Sequence, residues 1–313
     1  MNIQQLQYII AVDEHRHFQR AADACFVTPA TLSMMIKKLE LELGIIIFDR
    51  SKQPIVPTDI GNTIIDKAKT IIFYIKDFEQ TAKSEADQIA GEIRIAIIPT
   101  LAPYLTHHFL PQLMDRYPLL KIKLFEWNTL QIIDALNHDR LDIGIVATPL
   151  NRSEIKEHPL FKERLVAYTA EKKFEQSKEY IVPAEIDLKK LWLLEEDHCL
   201  RAQVANLCSL KKKYGNNLQL DFEAGSIETL INIVDMNKGV TILPELAIHC
   251  MSNERKAKVR AFTSPTPVRQ ISLVTYKHFI KTNLLNVLQM EITTAIAPLL
   301  SSTDEDYKII NIK

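Results

Sequence analysis

Four cysteines, at positions 25, 199, 208 and 250 of a 313-residue chain, are the side chains with the most chemistry in them. Two directly follow a histidine, as His198-Cys199 and His249-Cys250. A cysteine attacks or ligates as its thiolate, so a positive charge nearby decides whether it reacts. Neither His-Cys pair has the C-x₂₋₄-C spacing of a zinc knuckle, and no metal site is expected. Seven glycines leave neither a G-x-G-x-x-G nor a G-x-x-x-x-G-K run, so no nucleotide chemistry and no cofactor is expected. The ordinary fate of an intracellular cysteine is a small buried hydrophobe, and Cys25, at an apolar helical position, and Cys250, with no partner motif around it, are read that way.

The chain that must position these groups is of ordinary globular composition. Lys plus Arg is 38 against 39 Asp plus Glu, a net charge of −1, with 25% charged and 47% hydrophobic residues. Those proportions exclude intrinsic disorder and a massively basic nucleic-acid binder. At ~150 residues per domain, the length predicts about two domains. Four cysteines are too few for an extracellular disulfide framework and predict a reducing compartment. The start, Met1-Asn2-Ile3-Gln4-Gln5-Leu6, carries no basic region before an apolar core, and the longest aliphatic runs last about five residues. A cytoplasmic protein without membrane association is expected.

Residues 2–43 read as three short helices, from apolar spacing at Leu6, Ile9 and Ile10, then Ala21, Ala22 and Cys25, then Leu32, Met35, Ile36 and Leu39. Thr28 as N-cap, Pro29 at the first helical position and Gly44 as stop punctuate the third. Ile45 to Phe48 is a predicted strand, joined through Asp49 to Pro54 to Ile55-Val56-Pro57 as a small hairpin. Helix, turn, helix and hairpin describe a winged helix-turn-helix over 1–58, with its second helix, about Pro29 to Leu43, in the DNA major groove. On its polar side Thr28, Thr31, Ser33, Lys37 and Lys38, with Arg50 and Lys52 in the wing, are the candidate DNA contacts. Lys37 and Lys38 read equally as a solvated face.

From 59 to 90 apolar residues follow a heptad, with Ile64, Ile71 and Phe78 in one row and Ala68, Ile75, Ala82 and Ile89 in the other. This predicts a linker helix through which two copies dimerise; the alternative is an amphipathic helix packed on its own domain. Over 91–301 strands and helices alternate. Ile93 to Ile98, Ile122 to Phe125, Ile143 to Ala147, Leu165 to Thr169, Leu191 to Leu194, Val240 to Leu243 and Ile271 to Thr275 are strand-like, with helices such as Tyr104 to Tyr117 and Ser226 to Asn237 between. An α/β effector domain with a tail at 302–313 follows.

His15-Arg16-His17-Phe18-Gln19-Arg20-Ala21-Ala22, Val27-Thr28-Pro29-Ala30-Thr31-Leu32-Ser33, Ile36-Lys37-Lys38-Leu39-Glu40-Leu41-Glu42-Leu43-Gly44 and Phe48-Asp49-Arg50 resemble the DNA-binding domain of LysR-type transcriptional regulators. One departure is that Pro29-Ala30 follows the cap, where the family usually has Gln-Pro. That removes a polar base-reading candidate and leaves the operator sequence open. The resemblance implies an effector domain of two α/β subdomains like a periplasmic-binding-protein fold.

Glu195-Glu196-Asp197-His198-Cys199-Leu200-Arg201, with Cys208 beyond, resembles the redox segment of the OxyR-like, hydrogen-peroxide-sensing subfamily. Ile98-Pro99-Thr100, Thr129 and Arg269-Gln270-Ile271 fall where that subfamily has its peroxide pocket. Ser226 to Leu230 and Gly239 to Pro244 fall where it has scaffold. The resemblance implies Cys199 as peroxidatic thiol, Cys208 as resolving thiol, Arg269 as the charge favouring thiolate, and Thr100, Thr129 and His198 as groups orienting the peroxide oxygens. The competing readings are Thr100 as a helix N-cap before Pro103, a role compatible with the first, and Arg269 as a surface charge at a strand start. Were Cys199 to Cys208 helical, their Cα atoms would lie ~13 Å apart on opposite faces. A disulfide needs about 7 Å or less, so helix and disulfide exclude each other.

The expected function is a homodimeric or tetrameric regulator, not an enzyme, with promoter DNA, hydrogen peroxide, itself and RNA polymerase as partners. Its rivals are a LysR-type protein sensing a small organic ligand in the cleft between effector subdomains, and a thiol peroxidase, for which a DNA-reading head has no use.

Overall fold

The computed structural model describes residues 1–83, 90–170, 180–181, 183, 186–208, 224–301 and 306–312. The chain divides into two compact units, Met1–Gln88 and Ile89–Lys313.

In the first unit α1 (Ile3–His15), α2 (Phe18–Ala24) and α3 (Pro29–Leu43) precede a two-stranded hairpin, β1 (Phe48–Asp49) with β2 (Val56–Pro57), and then α4 (Asp59–Lys83). Local chemistry sets the boundaries. Asn2 and Gln5 form a reciprocal capping box on α1. Thr28 Oγ1 accepts the Thr31 N–H at 3.2 Å, Pro29 occupies the first turn of α3, and Gly44 ends it at φ 67, a left-handed conformation that glycine adopts without steric penalty. Ile9, Val12, Ala21, Ala22, Leu32, Ile36 and Leu39 are wholly buried in one core, joined by Ile65 and Ala68 of α4.

The strand expected from Ile45 shrinks to two residues for an identifiable reason. The Ile47 and Phe48 N–H groups donate to the Glu40 carboxylate at 2.8 and 3.3 Å, so they are unavailable to a ladder. On α4, Ile71, Tyr74 and Phe78 are exposed whereas Ala68 is buried. Of the heptad row, Ala82 and Ile89 lie outside the described side chains.

The second unit opens with β3 (Gly91–Ile97), α5 (Ala102–Arg116), β4 (Leu120–Glu126), α6 (Thr129–Asn137), β5 (Ile143–Thr148), β6 (Ile155–Thr169) and β7 (Tyr180–Ile181). It continues with α7 (Cys199–Leu207), α8 (Ile227–Asn237), β8 (Val240–Pro244), α9 (Glu245–His249), α10 (Asn253–Lys256), β9 (Val259–Phe262), β10 (Thr266–Tyr276), α11 (Thr282–Ile296) and β11 (Tyr307–Ile309). β4, β3 and β5 are parallel and β10 joins them antiparallel. β5 is buried throughout, as a strand covered on both faces must be.

The 15-residue β6 makes two subdomains out of one chain. Its residues 155–164 pair with β10, and residues 165–169 pair with β8 and, in part, β9. The sheet therefore curls from one α/β layer into a second. Two expectations change here. Leu191 to Leu194 makes only isolated bridges, to Val240 and Ala224, because the Trp192 carbonyl is taken by the Thr241 hydroxyl at 2.9 Å instead of a main-chain N–H. Residues 307–309 of the tail join the sheet, as β11 on the free edge of β10.

Candidate functional site

Cys199 is the first residue of α7, and Thr129 the first of α6. Their Oγ1 and Sγ atoms share a hydrogen bond of 2.8 Å. Asn128 fixes the threonine by capping α6 in a reciprocal box with Gln131. Thr100, which follows β3, and Arg269, on β10, meet in the core. Arg269 is 0% exposed, and its Nη1 donates to Thr100 Oγ1 at 3.1 Å and its Nη2 to the Thr100 carbonyl at 3.2 Å.

Both competing readings of these residues fail on that geometry. Thr100 is not the cap of α5: the cap position is Leu101, with no side-chain hydrogen bond. Arg269 is no surface charge: it is wholly buried, opposite Glu163 of β6.

A residue missed in the sequence completes the cluster. Glu163 on β6 stands opposite Arg269 in register, is also 0% exposed, and its Oε2 accepts Arg269 Nε at 2.8 Å. Its Oε1 accepts the Leu246 N–H at the start of α9, at 2.9 Å. An isolated Glu in a strand-like run gives no signal; a buried Arg demanding a counter-charge would have given one, had its burial been legible. Burial pushes the Glu163 carboxyl up, against the pull of Arg269.

Burial also pushes the Cys199 thiol up; the Thr129 hydrogen bond and the Arg269 charge pull it down but do not outweigh desolvation. The positive charge expected to favour a thiolate is present but paired with Glu163, and burial prevails over it. His198 is nine-tenths buried at the cap of α7 without making a side-chain cap.

Cys208 is the C-cap of α7, and burial raises its thiol to about 11. Both cysteines are unbridged, at opposite ends of an intact helix of nine residues. Cys25 is half-buried against the first core, as expected, whereas Cys250 is exposed beyond α9, because the chain ends that short helix at the surface. No group of three or more metal-ligating side chains occurs among the described residues.

In the first unit the candidate DNA contacts fall into two sets. Lys37, Lys38 and Lys52 are exposed, Lys52 lying 3.7 Å from Asp49. Thr28 and Thr31 are exposed at the start of α3 with their hydroxyls 2.9 Å apart. Arg50, in contrast, braces the wing: Nη1 donates to Ser33 Oγ at 3.2 Å, Nη2 pairs with Glu40 at 2.9 Å, and the guanidinium lies 5.1 Å from the Phe18 ring centre.

A winged helix-turn-helix followed by a two-subdomain α/β unit is the build of a DNA-binding transcriptional regulator with an effector domain. Residues 3–62 match the bacterial regulatory helix-turn-helix protein family, lysR family, and residues 86–289 match the LysR substrate binding domain. The chain belongs to the LysR family. It is 35% identical over 274 residues to the hydrogen peroxide-inducible genes activator of Haemophilus influenzae, covering 88% of this chain and 90% of that protein. To the DNA-binding transcriptional dual regulator OxyR of Escherichia coli it is also 35% identical, over 88% of this chain and 89% of the other. A full-length OxyR variant from Pseudomonas aeruginosa has the same fold, with a TM-score of 0.72, 30% identity, and coverage of 96% of this chain and 99% of that one. Among the described residues, no helix is long and apolar enough to cross a membrane.

Proposed function

We propose that this LysR-family protein binds promoter DNA and is switched by hydrogen peroxide through Cys199 and Cys208. The observation that carries the reading is the Cys199 sulfur, at the start of α7, hydrogen-bonded to Thr129. The names of the relatives at 35% identity, activators of hydrogen peroxide-inducible genes, point the same way.

The chemistry is a two-electron exchange. The Cys199 thiolate attacks one peroxide oxygen, the O–O bond breaks, an S–OH bond forms, and hydroxide leaves to become water on taking a proton. Cys208 then attacks the sulfenic sulfur; an S–S bond forms and a second water leaves. Thr129 holds the sulfur, while Arg269 and Thr100 supply hydrogen-bond donors for the departing oxygen, and His198, next to Cys199 in sequence, is the candidate acid–base group.

Because Cys199 and Cys208 bound α7, nine residues at ~1.5 Å rise keep their Cα atoms ~13 Å apart while the helix stands. Joining them unwinds it. α7 is therefore the two-state element, and its refolding is the signal passed to the rest of the protein. Ile71, Tyr74 and Phe78, exposed on α4 at 41, 57 and 77%, support dimerisation through the 59–90 helix, with a tetramer and RNA polymerase contact as further assembly.

The test is a promoter footprint with reduced, peroxide-treated and Cys199→Ser protein, paired with mass spectrometry of the cysteines. The footprint is expected to change length on oxidation of the unsubstituted chain alone, with a Cys199–Cys208 cross-link present. A cross-link without any footprint change removes the switch; peroxide treatment that leaves Cys199 unmodified removes the peroxide reading.

A further inference from the structure

The buried carboxylate beside Arg269 does more than neutralise it. Glu163 Oε2 takes the guanidinium along its Nε edge and lies 2.8 Å from Nη2, leaving Nη1 directed at the Thr100 hydroxyl. Its other oxygen is anchored to the first turn of α9 through Leu246. One carboxylate thereby sets the rotation of the cation that, among the described residues, acts on the Cys199 sulfur. We propose that Glu163 is a positioning residue for the reaction of Cys199 with peroxide: it aims Arg269, which aims Thr100.

The proposal rests on the peroxide reading above, and the test separates them. In the full-length chain with Cys208→Ser, so that oxidation stops at the sulfenic acid, Cys199 is reacted with hydrogen peroxide and, separately, with iodoacetamide. Glu163→Gln cannot offer acceptor oxygens to both Arg269 and Leu246. It is expected to slow peroxide oxidation about ten-fold or more while alkylation is unchanged, because only peroxide uses aimed donors. Glu163→Asp, which keeps the charge on a shorter stem, is expected to fall between, and carries the comparison alone should the glutamine variant not fold. Unchanged peroxide rates, or equal slowing of both reactions, overturn the role. A parent protein that peroxide does not oxidise at Cys199 overturns the underlying reading instead.

A second observation stands independently on α7. β11 runs parallel to β10, Tyr307 opposite Thr266 and Ile309 opposite Val268, and the Ile310 N–H donates to the Val268 carbonyl at 2.8 Å. Ile310 itself is 4% exposed. Two side chains of α7 reach this segment: Gln203, 0% exposed, donates to the Ile310 carbonyl at 3.0 Å, and Asn206 donates to the Asn311 carbonyl at 2.8 Å. Both donors lie between the two cysteines, so no path that brings the sulfurs together leaves them in place.

We infer that the tail strand is a latch on α7. Among the described residues Gln203 Oε1 is buried without a donor, so the Nε2 bond to the Ile310 carbonyl is the hydrogen bond this buried side-chain amide makes. Releasing the tail strands it and loosens the helix; unwinding the helix frees the tail. Amide hydrogen exchange on the reduced protein tests this without any peroxide, comparing the full chain, a chain ending at Asp306, and full-length Ile310→Asp. Exchange over residues 200–207 is expected to rise about ten-fold or more in both variants. Equal protection of α7 in all three proteins overturns the latch and leaves the peroxide reading untouched.

Discussion

Two arginine–glutamate pairs do different work in the two units. Arg50 in the wing and Glu40 on α3 are 37 and 11% exposed, whereas Arg269 and Glu163 in the effector unit are both 0% exposed. An ion pair near water gains at most ~1 kcal/mol, since solvent screens it and two long side chains must be ordered. It opens easily, because solvent competes for both groups. A buried pair has shed its hydration, so losing one partner strands the other and costs about 3–5 kcal/mol. The first is an adjustable brace on a reading head; the second is a fixed frame around a sulfur.

The largest effect that could break this contrast is Arg269→Ala, expected to lower unfolding free energy by about 3–5 kcal/mol in urea titrations. The deficit should shrink as pH falls. Burial already raises the Glu163 carboxyl, and a raised folded-state value means stability held at low pH and lost as pH rises. A deficit below ~1 kcal/mol, or one equally large at acidic and alkaline pH, would place the frame's strength elsewhere.

Glu40→Ala should cost about 1–3 kcal/mol, much more than the ion pair it removes, because the Ile47 and Phe48 N–H groups lose their acceptor. Double-mutant analysis with Arg50→Ala separates the charge from the main-chain bonds. Peroxide oxidation of Cys199 should accelerate about ten-fold per pH unit through neutrality, since burial keeps the thiol protonated and only the thiolate attacks. A rate already flat at neutral pH would mean that Arg269 wins over desolvation. Smallest is Arg50→Ala, expected to change stability by less than ~1 kcal/mol yet to flatten the salt dependence of DNA binding by ~0.9 in log–log slope. An unchanged slope would confine Arg50 to bracing the wing.

The reading head was legible nearly residue by residue. Thr28, Pro29 and Gly44 mark α3 at the ends where it begins and stops, because a cap acts on N–H and C=O groups within a turn of itself. The wing strand was overestimated because Glu40, several residues upstream, intercepts its N–H groups. In the effector unit the alternation of strands and helices came through, but Leu191 to Leu194 did not, since a β-branched or aliphatic run says nothing of which acceptors remain free. Cys250 was taken for a packing residue and is exposed, a difference that composition around it does not encode.

Hydrophobic period and end-capping chemistry work over a few neighbours, so much of the order of helices and strands, and the family, could be read along the chain, whereas the helix between the two cysteines stood there only as a condition. That Cys199 rests on Thr129, 70 positions away, and that Arg269 finds Glu163 across 106, followed from strand register and from the curl of β6 between two layers. Those contacts belong to the folded sheet: burial cages Arg269 against Glu163 and pushes the Cys199 thiol up, and neither is written in the residues beside them.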